Sequence, residues 1–141
     1  MGEARELGER WFETVKTGDS NAVLSFVAED VDFLAAGQPL SSAEEVAGFV
    51  GGYKSAFPDM DFVIRGWIEE GDSALAEGRF TGTHTGPMAS PMGEVPPTGR
   101  SVDLPFTTVF EARDGKLTAH RAYWDNIGFM TQLGLMPPPG A

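Results

Sequence analysis

The stretch that decides the fold is Ser101-Val102-Asp103-Leu104-Pro105-Phe106-Thr107-Thr108-Val109-Phe110-Glu111-Ala112-Arg113-Asp114-Gly115-Lys116-Leu117, continued by Thr118-Ala119-His120-Arg121-Ala122-Tyr123-Trp124. Val102, Leu104, Phe106, Thr108 and Phe110 alternate with Asp103, Thr107 and Glu111. A period of two marks a strand with one buried face. Arg113-Asp114-Gly115-Lys116 carries the Asp-Gly signal of a tight hairpin turn, so Leu117 to Trp124 returns as the last strand.

Upstream the same period begins after Asp59. Phe62, Ile64 and Ile68 alternate with Val63, Arg65 and Trp67, Glu70-Gly71-Asp72 makes a turn, and Ala74 to Thr83 comes back. Between the two hairpins, Gly86 to Gly99 is rich in Gly and Pro. A loop of this length is unusual in a compact domain, which makes it a candidate lid or binding loop.

The N-terminal third has helical spacing instead. Leu7, Trp11 and Val15 line one face, Phe12 widens the stripe and Gly18 stops it. Asp19 caps a short second helix burying Ala22, Val23, Phe26 and Val27. Val31 and Phe33 read as a short strand. Ser41 with Glu44, or Ser42 with Glu45, forms a capping box before a helix with Val46, Phe49, Val50 and Tyr53. Pro58 ends that helix. A final short helix spans Asn126 to Leu133 and stops at Gly134.

Helices followed by hairpin-connected strands predict an α+β fold. It is a curved antiparallel (mixed) β-sheet forming a cone, closed by three helices from the N-terminal half. One domain over residues 1–141 is expected, with an irregular tail from about 136. The inside of such a cone is a natural pocket.

Composition narrows the chemistry. The 141 residues contain no cysteine and carry 21 acidic against 10 basic side chains, a formal charge of -11. No disulfide, thiolate nucleophile or Cys-ligated metal is possible. Phosphate binding needs clustered Lys and Arg, so no nucleic-acid partner is expected, nor an anionic membrane surface. No secretory signal, full myristoylation pattern or membrane span is read, and a cytoplasmic location is expected. His84 and His120 are the only histidines, and neither lies in a metal-binding spacing, so no metal is expected. No nucleophile elbow, P-loop or dinucleotide fingerprint occurs.

What remains is proton chemistry. Arg121, Tyr123 and Asp125 share one strand face, and His120, Ala122 and Trp124 the other. Asp125 beside an apolar helix is an acid/base if taken into a pocket, where desolvation raises a carboxyl pKa, or simply a helix cap. Tyr123 is placed to donate to an enolate or carbonyl oxygen, and Arg121 to orient an anion. His84, in Gly82-Thr83-His84-Thr85-Gly86, is a second proton-transfer group or a histidine satisfied by nearby backbone. His120 is expected on the solvent side of the sheet or at a subunit contact. Tyr53, Phe57 and Trp67, with Trp11 and Phe49, are core or pocket wall. Met88, Met92, Met130 and Met136 cluster in the loop and tail, where they either mould to an apolar ligand or simply pack.

Several strings occur together: Ala56-Phe57-Pro58-Asp59-Met60, Glu70-Gly71-Asp72, Gly82-Thr83-His84-Thr85-Gly86, Pro96-Pro97-Thr98-Gly99-Arg100, Asp114-Gly115-Lys116, Tyr123-Trp124-Asp125 and Gln132-Leu133-Gly134. In this order they resemble the SnoaL-like polyketide cyclase (ester cyclase) family of the nuclear-transport-factor-like, ketosteroid-isomerase-like superfamily. The resemblance implies an aromatic-polyketide substrate, as in antibiotic biosynthesis. It further implies ring closure by intramolecular aldol condensation without metal or cofactor, and a homodimer. The family's acid/base aspartate matches Asp125. The assisting position of the preceding strand falls where this chain has Thr107 and Glu111. His84 carries over only as a pocket residue.

Two classes of function follow. One is a cofactor-independent acid/base enzyme on a hydrophobic carbonyl compound, either a cyclase, or an isomerase or epoxide hydrolase using Arg121, Asp125 and Asp103. The other is a non-catalytic binder of a small apolar ligand. An exposed Asp125 tied to the backbone of the last helix favours binding; an Asp125 enclosed beside Tyr123 or His84 favours catalysis.

Overall fold

The computed structural model describes residues 2–35, 37–90 and 93–137. Met92 and residues 138–141 of the tail therefore lie outside the described residues. The chain opens with helix α1 (Glu3–Thr17), whose buried stripe is Ala4, Gly8, Trp11, Phe12 and Val15. Gly8 lets this helix approach the sheet: a Cβ there would stand 2.7 Å from the Trp67 ring and 2.9 Å from Phe110. Helix α2 (Ser20–Phe26) starts at Asp19, whose carboxylate accepts from the Ala22 amide, as its spacing predicts.

Strand β1 (Val27–Ala35) and the three-residue β2 (Gln38–Leu40) follow; β2 is too short to show a period in sequence. Of the two possible capping boxes, the structure uses Ser42, whose hydroxyl accepts from the Glu45 amide at 3.1 Å. It opens α3 (Ala43–Ala56), which ends two residues before Pro58. Next come β3 (Asp61–Glu70) and β4 (Ser73–Thr83). The Gly86–Gly99 loop holds a small hairpin of β5 (Met88–Ser90) and β6 (Gly93–Val95). Strands β7 (Ser101–Arg113) and β8 (Lys116–Trp124) pair through a turn where Asp114 and Gly115 both have positive φ, the geometry that favours Asp-Gly. Helix α4 (Asn126–Gln132) closes the described chain.

The main sheet has the order β2-β1-β8-β7-β4-β3. It is mixed, since β1 pairs parallel to β8 while the other neighbours are antiparallel. It does not close into a barrel. Helix α1 lies against β3, β4, β7 and β8, α3 against β1, and α4 against β7. The sheet and its helices form the expected α+β cone.

Register shifts interrupt the pairing of β1 with β8, of β7 with β8 and of β3 with β4, and the last changes which side chains face inward. The register of β3 on β4 jumps between Ile64 and Gly66, leaving Arg65 as an extra residue. Such a bulge moves every later side chain to the opposite face. Trp67 therefore turns inward onto Phe12 and Phe110, and Ile68 is 70% exposed. This corrects the expected grouping of Ile68 with Phe62 and Ile64.

The Gly86–Gly99 segment, a candidate lid or binding loop, is tied down at both ends as a strap. His84 donates its amide to the Arg100 carbonyl at 2.9 Å, and Gly99 donates to the His84 carbonyl at 2.8 Å. The amides of Thr85 and Gly86 both donate to the Ala56 carbonyl at the end of α3.

Candidate functional site

Three rows of side chains cross the inner sheet face. Register aligns Phe33 of β1, His120 of β8, Phe110 of β7 and Ala74 of β4 in one row. The next holds Ala35, Ala122, Thr108 and Ala76, and the third Trp124 and Phe106, with Gly78 beyond. A row of small side chains thus lies between two rows carrying large rings. Missing volume in the middle row leaves space that the ring rows cannot fill.

That space is a cavity of about 80 Å³. Ala35, Ala122 and Thr108 form part of its floor. Trp11, Phe12 and Val15 of α1, Phe49 and Tyr53 of α3, and Phe129 of α4 form the roof. Met60, Phe62, Phe80, Leu104 and Phe106 complete the apolar wall, with His120 and Trp124. Among the described residues no Asp, Glu, Lys or Arg lines it.

Four lining residues bring polar atoms: Tyr53, Thr108, His120 and Trp124. His120 is 4% exposed and boxed by rings. Phe33 stacks on it at 4.4 Å, Trp11 stands 4.6 Å away, and Phe110 meets it edge-on at 5.5 Å. Burial pushes its pKa down to about 3, helped by the nearby Arg121 charge and opposed by the backbone carbonyls of His120 and Leu34. The imidazole is therefore neutral across the physiological range. Burial pushes the Tyr53 phenol up to about 12, so it too stays protonated. His120 Nδ1 and Trp124 Nε1 are buried with no hydrogen-bond partner among the described residues. A buried polar atom left unpaired costs about 1–3 kcal/mol.

The sequence-predicted site is largely dispersed. Tyr53 alone of the eight candidates lines the cavity. Asp125 is exposed at the N-cap of α4, where its Oδ1 accepts from the Gly128 amide at 2.9 Å. The expected enclosed carboxyl is replaced by the helix cap. Tyr123 is 49% exposed on the outer sheet face, opposite Thr107 in register. Both line an outer groove with Arg65, Glu77 and Arg79. Arg121, on the same face, is held by Asp32 at 3.0 Å and Glu111 at 2.7 Å. Trp67 packs on Phe12 and Phe110 under the Arg5 guanidinium, outside the cavity lining. Phe57 is fully buried between His84 and Phe129.

His84 belongs to the strap and not to the cavity. Its Nδ1 accepts from the Thr98 amide at 3.2 Å, and the Thr98 hydroxyl lies 3.1 Å away. Burial lowers its pKa, partly offset by the Gly86 backbone. His120, expected outside, is inside instead. Parity grouped it correctly with Ala122 and Trp124, and the apolar character of those two partners was the signal that this face points inward. No group of three or more His, Asp or Glu residues able to hold a metal occurs among the described residues.

An α+β cone of this topology, with a ring-lined cavity under its helices, is the nuclear-transport-factor-like fold. The chain belongs to the SnoaL-like domain family, which matches residues 8–120. Among solved structures it resembles a candidate SnoaL-like polyketide cyclase from Jannaschia sp. CCS1, at 24% identity over 96% of this chain and 94% of the other, with a TM-score of 0.82. AclR, a candidate hydroxylase from Streptomyces galilaeus, is 24% identical over 96% and 98% of the two chains, TM-score 0.76. IdmH, a candidate polyketide cyclase from Streptomyces antibioticus, is 27% identical over 87% and 92%, TM-score 0.67. No curated protein matches. No helix among the described residues is long and apolar enough to cross a membrane.

Proposed function

We propose that this protein captures one small, predominantly apolar molecule inside the cone. The supporting observation is the cavity over Ala35, Ala122 and Thr108, ring-lined and free of charged side chains among the described residues. Burying apolar ligand surface there is favourable at roughly 25 cal/mol per Å². The cavity is smaller than the ~150 Å³ known to hold benzene in an engineered core. A single ring enters with modest movement of the wall, whereas a fused polycycle far exceeds this volume. Binding without turnover is the reading the wall favours. Its titratable side chains, His120 at about 3 and Tyr53 at about 12, are poor proton acceptors near neutrality, where a general base works best.

The test is calorimetric titration with toluene and phenol. The wild type takes up at least one of them. Ala122→Leu, which fills the floor, abolishes uptake while keeping the fold by circular dichroism. Failure of the wild type to bind either molecule refutes the reading.

The candidate polyketide cyclases among the similar structures favour a second reading, ring closure on a carbonyl compound with Asp125 as acid/base. Asp125 follows the cavity residue Trp124 directly, but its carboxylate must leave the α4 cap to act. Solvent deuterium exchange at the carbon next to the ketone of phenylacetone separates the readings. The binding reading expects no acceleration; the enzymatic one expects acceleration that Asp125→Asn removes.

A homodimer through the open sheet face is part of the same proposal. Val63, Ile68 and Tyr123 are exposed there. The chain is strongly acidic, yet this face mixes Arg65, Arg79 and Arg121 with Glu77, Asp103 and Glu111, which lowers the repulsion between two copies. Sedimentation velocity of the wild type against Ile68→Glu checks it: a dimer that becomes monomeric supports the proposal, and a monomeric wild type ends it.

A further inference from the structure

We infer that the Gly86–Gly99 strap is a pH-operated latch: the neutral imidazole of His84 fastens it, and protonation of that ring lets it go. His84 is fully buried directly after β4, where the strap begins. It holds the far end of the strap through its amide, its carbonyl and its ring. The amide donates to the Arg100 carbonyl at 2.9 Å and the carbonyl accepts from the Gly99 amide at 2.8 Å. The ring accepts at Nδ1 from the Thr98 amide at 3.2 Å. Only this last bond depends on a group that titrates. A ring nitrogen that accepts carries no proton, so the proton of the neutral imidazole sits on Nε2, which is buried without a partner.

A second proton can therefore go only to Nδ1. It turns the acceptor into a donor that faces the Thr98 N–H. The Thr98 hydroxyl, 3.1 Å from Nδ1, can accept the new hydrogen bond, but the Thr98 amide then loses its partner, and a buried unpaired donor is costly. The charge is costly as well, because no carboxylate offsets its lost hydration. Of the charged side chains on the neighbouring elements, Lys54 donates to the Pro58 carbonyl at 2.6 Å. Asp59 accepts from the amide and hydroxyl of Thr83, and Asp103 pairs with Arg79 at 2.8 Å. Arg100 lies against Gly134, and Glu94 is exposed on β6. None of them shifts the His84 titration, which burial lowers and the Gly86 backbone partly restores. With the strap lifted, both ring nitrogens reach water and the imidazolium is hydrated, so acid favours the open form. The strap buries Met88 of β5, which is 6% exposed. Phe57, 5.4 Å from the His84 ring, packs in turn on Phe129 of the cavity roof at 6.0 Å.

The experiment is amide hydrogen exchange of the full chain at pH 7 and pH 5, read as protection factors so that the intrinsic pH dependence of exchange divides out. Protection of the Thr98 and Gly99 amides falls by roughly threefold to 25-fold, the upper figure being set by a ring of ordinary pKa in the open strap. The amides of α1 lose less, because the release is local. His84→Asn places an amide oxygen near the Nδ1 position, keeps an acceptor for the Thr98 amide and cannot titrate, so its strap protection does not fall beyond that of α1. His120 is present in both proteins and cancels from the comparison. Ring-nitrogen NMR shifts of the wild type give a reading that needs no variant: Nδ1 of His84 is unprotonated at pH 7. Strap protection that is unchanged at pH 5, that falls no further than protection in α1, or that falls equally in His84→Asn overturns the inference. So does a protonated Nδ1 at pH 7.

Discussion

Phe33 and His120 lie face to face across β1 and β8, their ring centres 4.4 Å apart and their planes within 8°. The pair is aligned by the parallel register of the two strands. An imidazolium in this position would lose its hydration and gain no carboxylate, so the fold holds the neutral form.

That relationship fixes a pH dependence. The folded pKa of about 3 lies below the ordinary histidine value of 6.5. The unfolded chain therefore takes up the proton first as pH falls. Stability from this group is fully present above about pH 6.5 and is lost progressively down to about pH 3, at about 1.4 kcal/mol per unit. Urea unfolding midpoints measured between pH 7 and 5 check this. The wild type loses stability more steeply than His120→Leu, by about 1.2 kcal/mol between pH 6 and 5. His84, lowered by burial as well, adds a slope of the same sign to both proteins and drops out of the comparison. Parallel slopes would show that His120 is not held neutral.

The role of Asp125 in stability is equally specific. Its carboxylate accepts from the Gly128 amide at 2.9 Å, and Gln132 fastens the other end of α4 through two hydrogen bonds to the Asp103 backbone, at 2.7 and 3.1 Å. Asn supplies the same acceptor as Asp, and Ala supplies none. Asp125→Ala costs about 1 kcal/mol, while Asp125→Asn stays within a few tenths. Chemical denaturation of the three proteins measures both. A large loss in the Asn variant would mean that the charge itself, not the cap, holds α4.

Local signals made much of the fold legible. The Asp19 and Ser42 caps, the Gly18 stop and the Asp114-Gly115 turn each depend on residues within four positions of one another, and each stands where the sequence places it. The cavity was hidden because its floor is assembled across strands: Ala35, Ala122 and Thr108 become neighbours only through register. The bulge at Arg65 was hidden for a related reason, since alternation counts residues and a bulge inserts one that pairs with nothing. For β8, parity showed which side chains share a face but not which face is covered. Arg121, Tyr123 and Asp125 are all polar, and weighing that against Ala122 and Trp124 would have put His120 inside. The value attached to Asp125 came from family likeness, and the likeness does not carry the local turn that aims the side chain.

Two glycines in or beside α3 respond oppositely to alanine. A Cβ on Gly86 would fall on the Ser55 carbonyl oxygen, with the Ala56 Cα at 3.4 Å. Both contacts are backbone, so neither can swing aside. The strap must lift from α3, loosening the hydrogen bonds that the Thr85 and Gly86 amides make to Ala56. Overpacking of this kind costs about 1–3 kcal/mol, and Gly86→Ala is expected at the upper end. Gly52 is exposed within α3 and a Cβ there meets nothing within 4 Å. Gly52→Ala gains about 0.5–1 kcal/mol, because alanine gives up less backbone freedom in a helix. Thermal unfolding of both variants against the wild type decides the point. If Gly86→Ala were neutral, the strap would not be seated on α3 as the backbone geometry requires. If Gly52→Ala were destabilising, that face of the helix would be covered by something other than solvent.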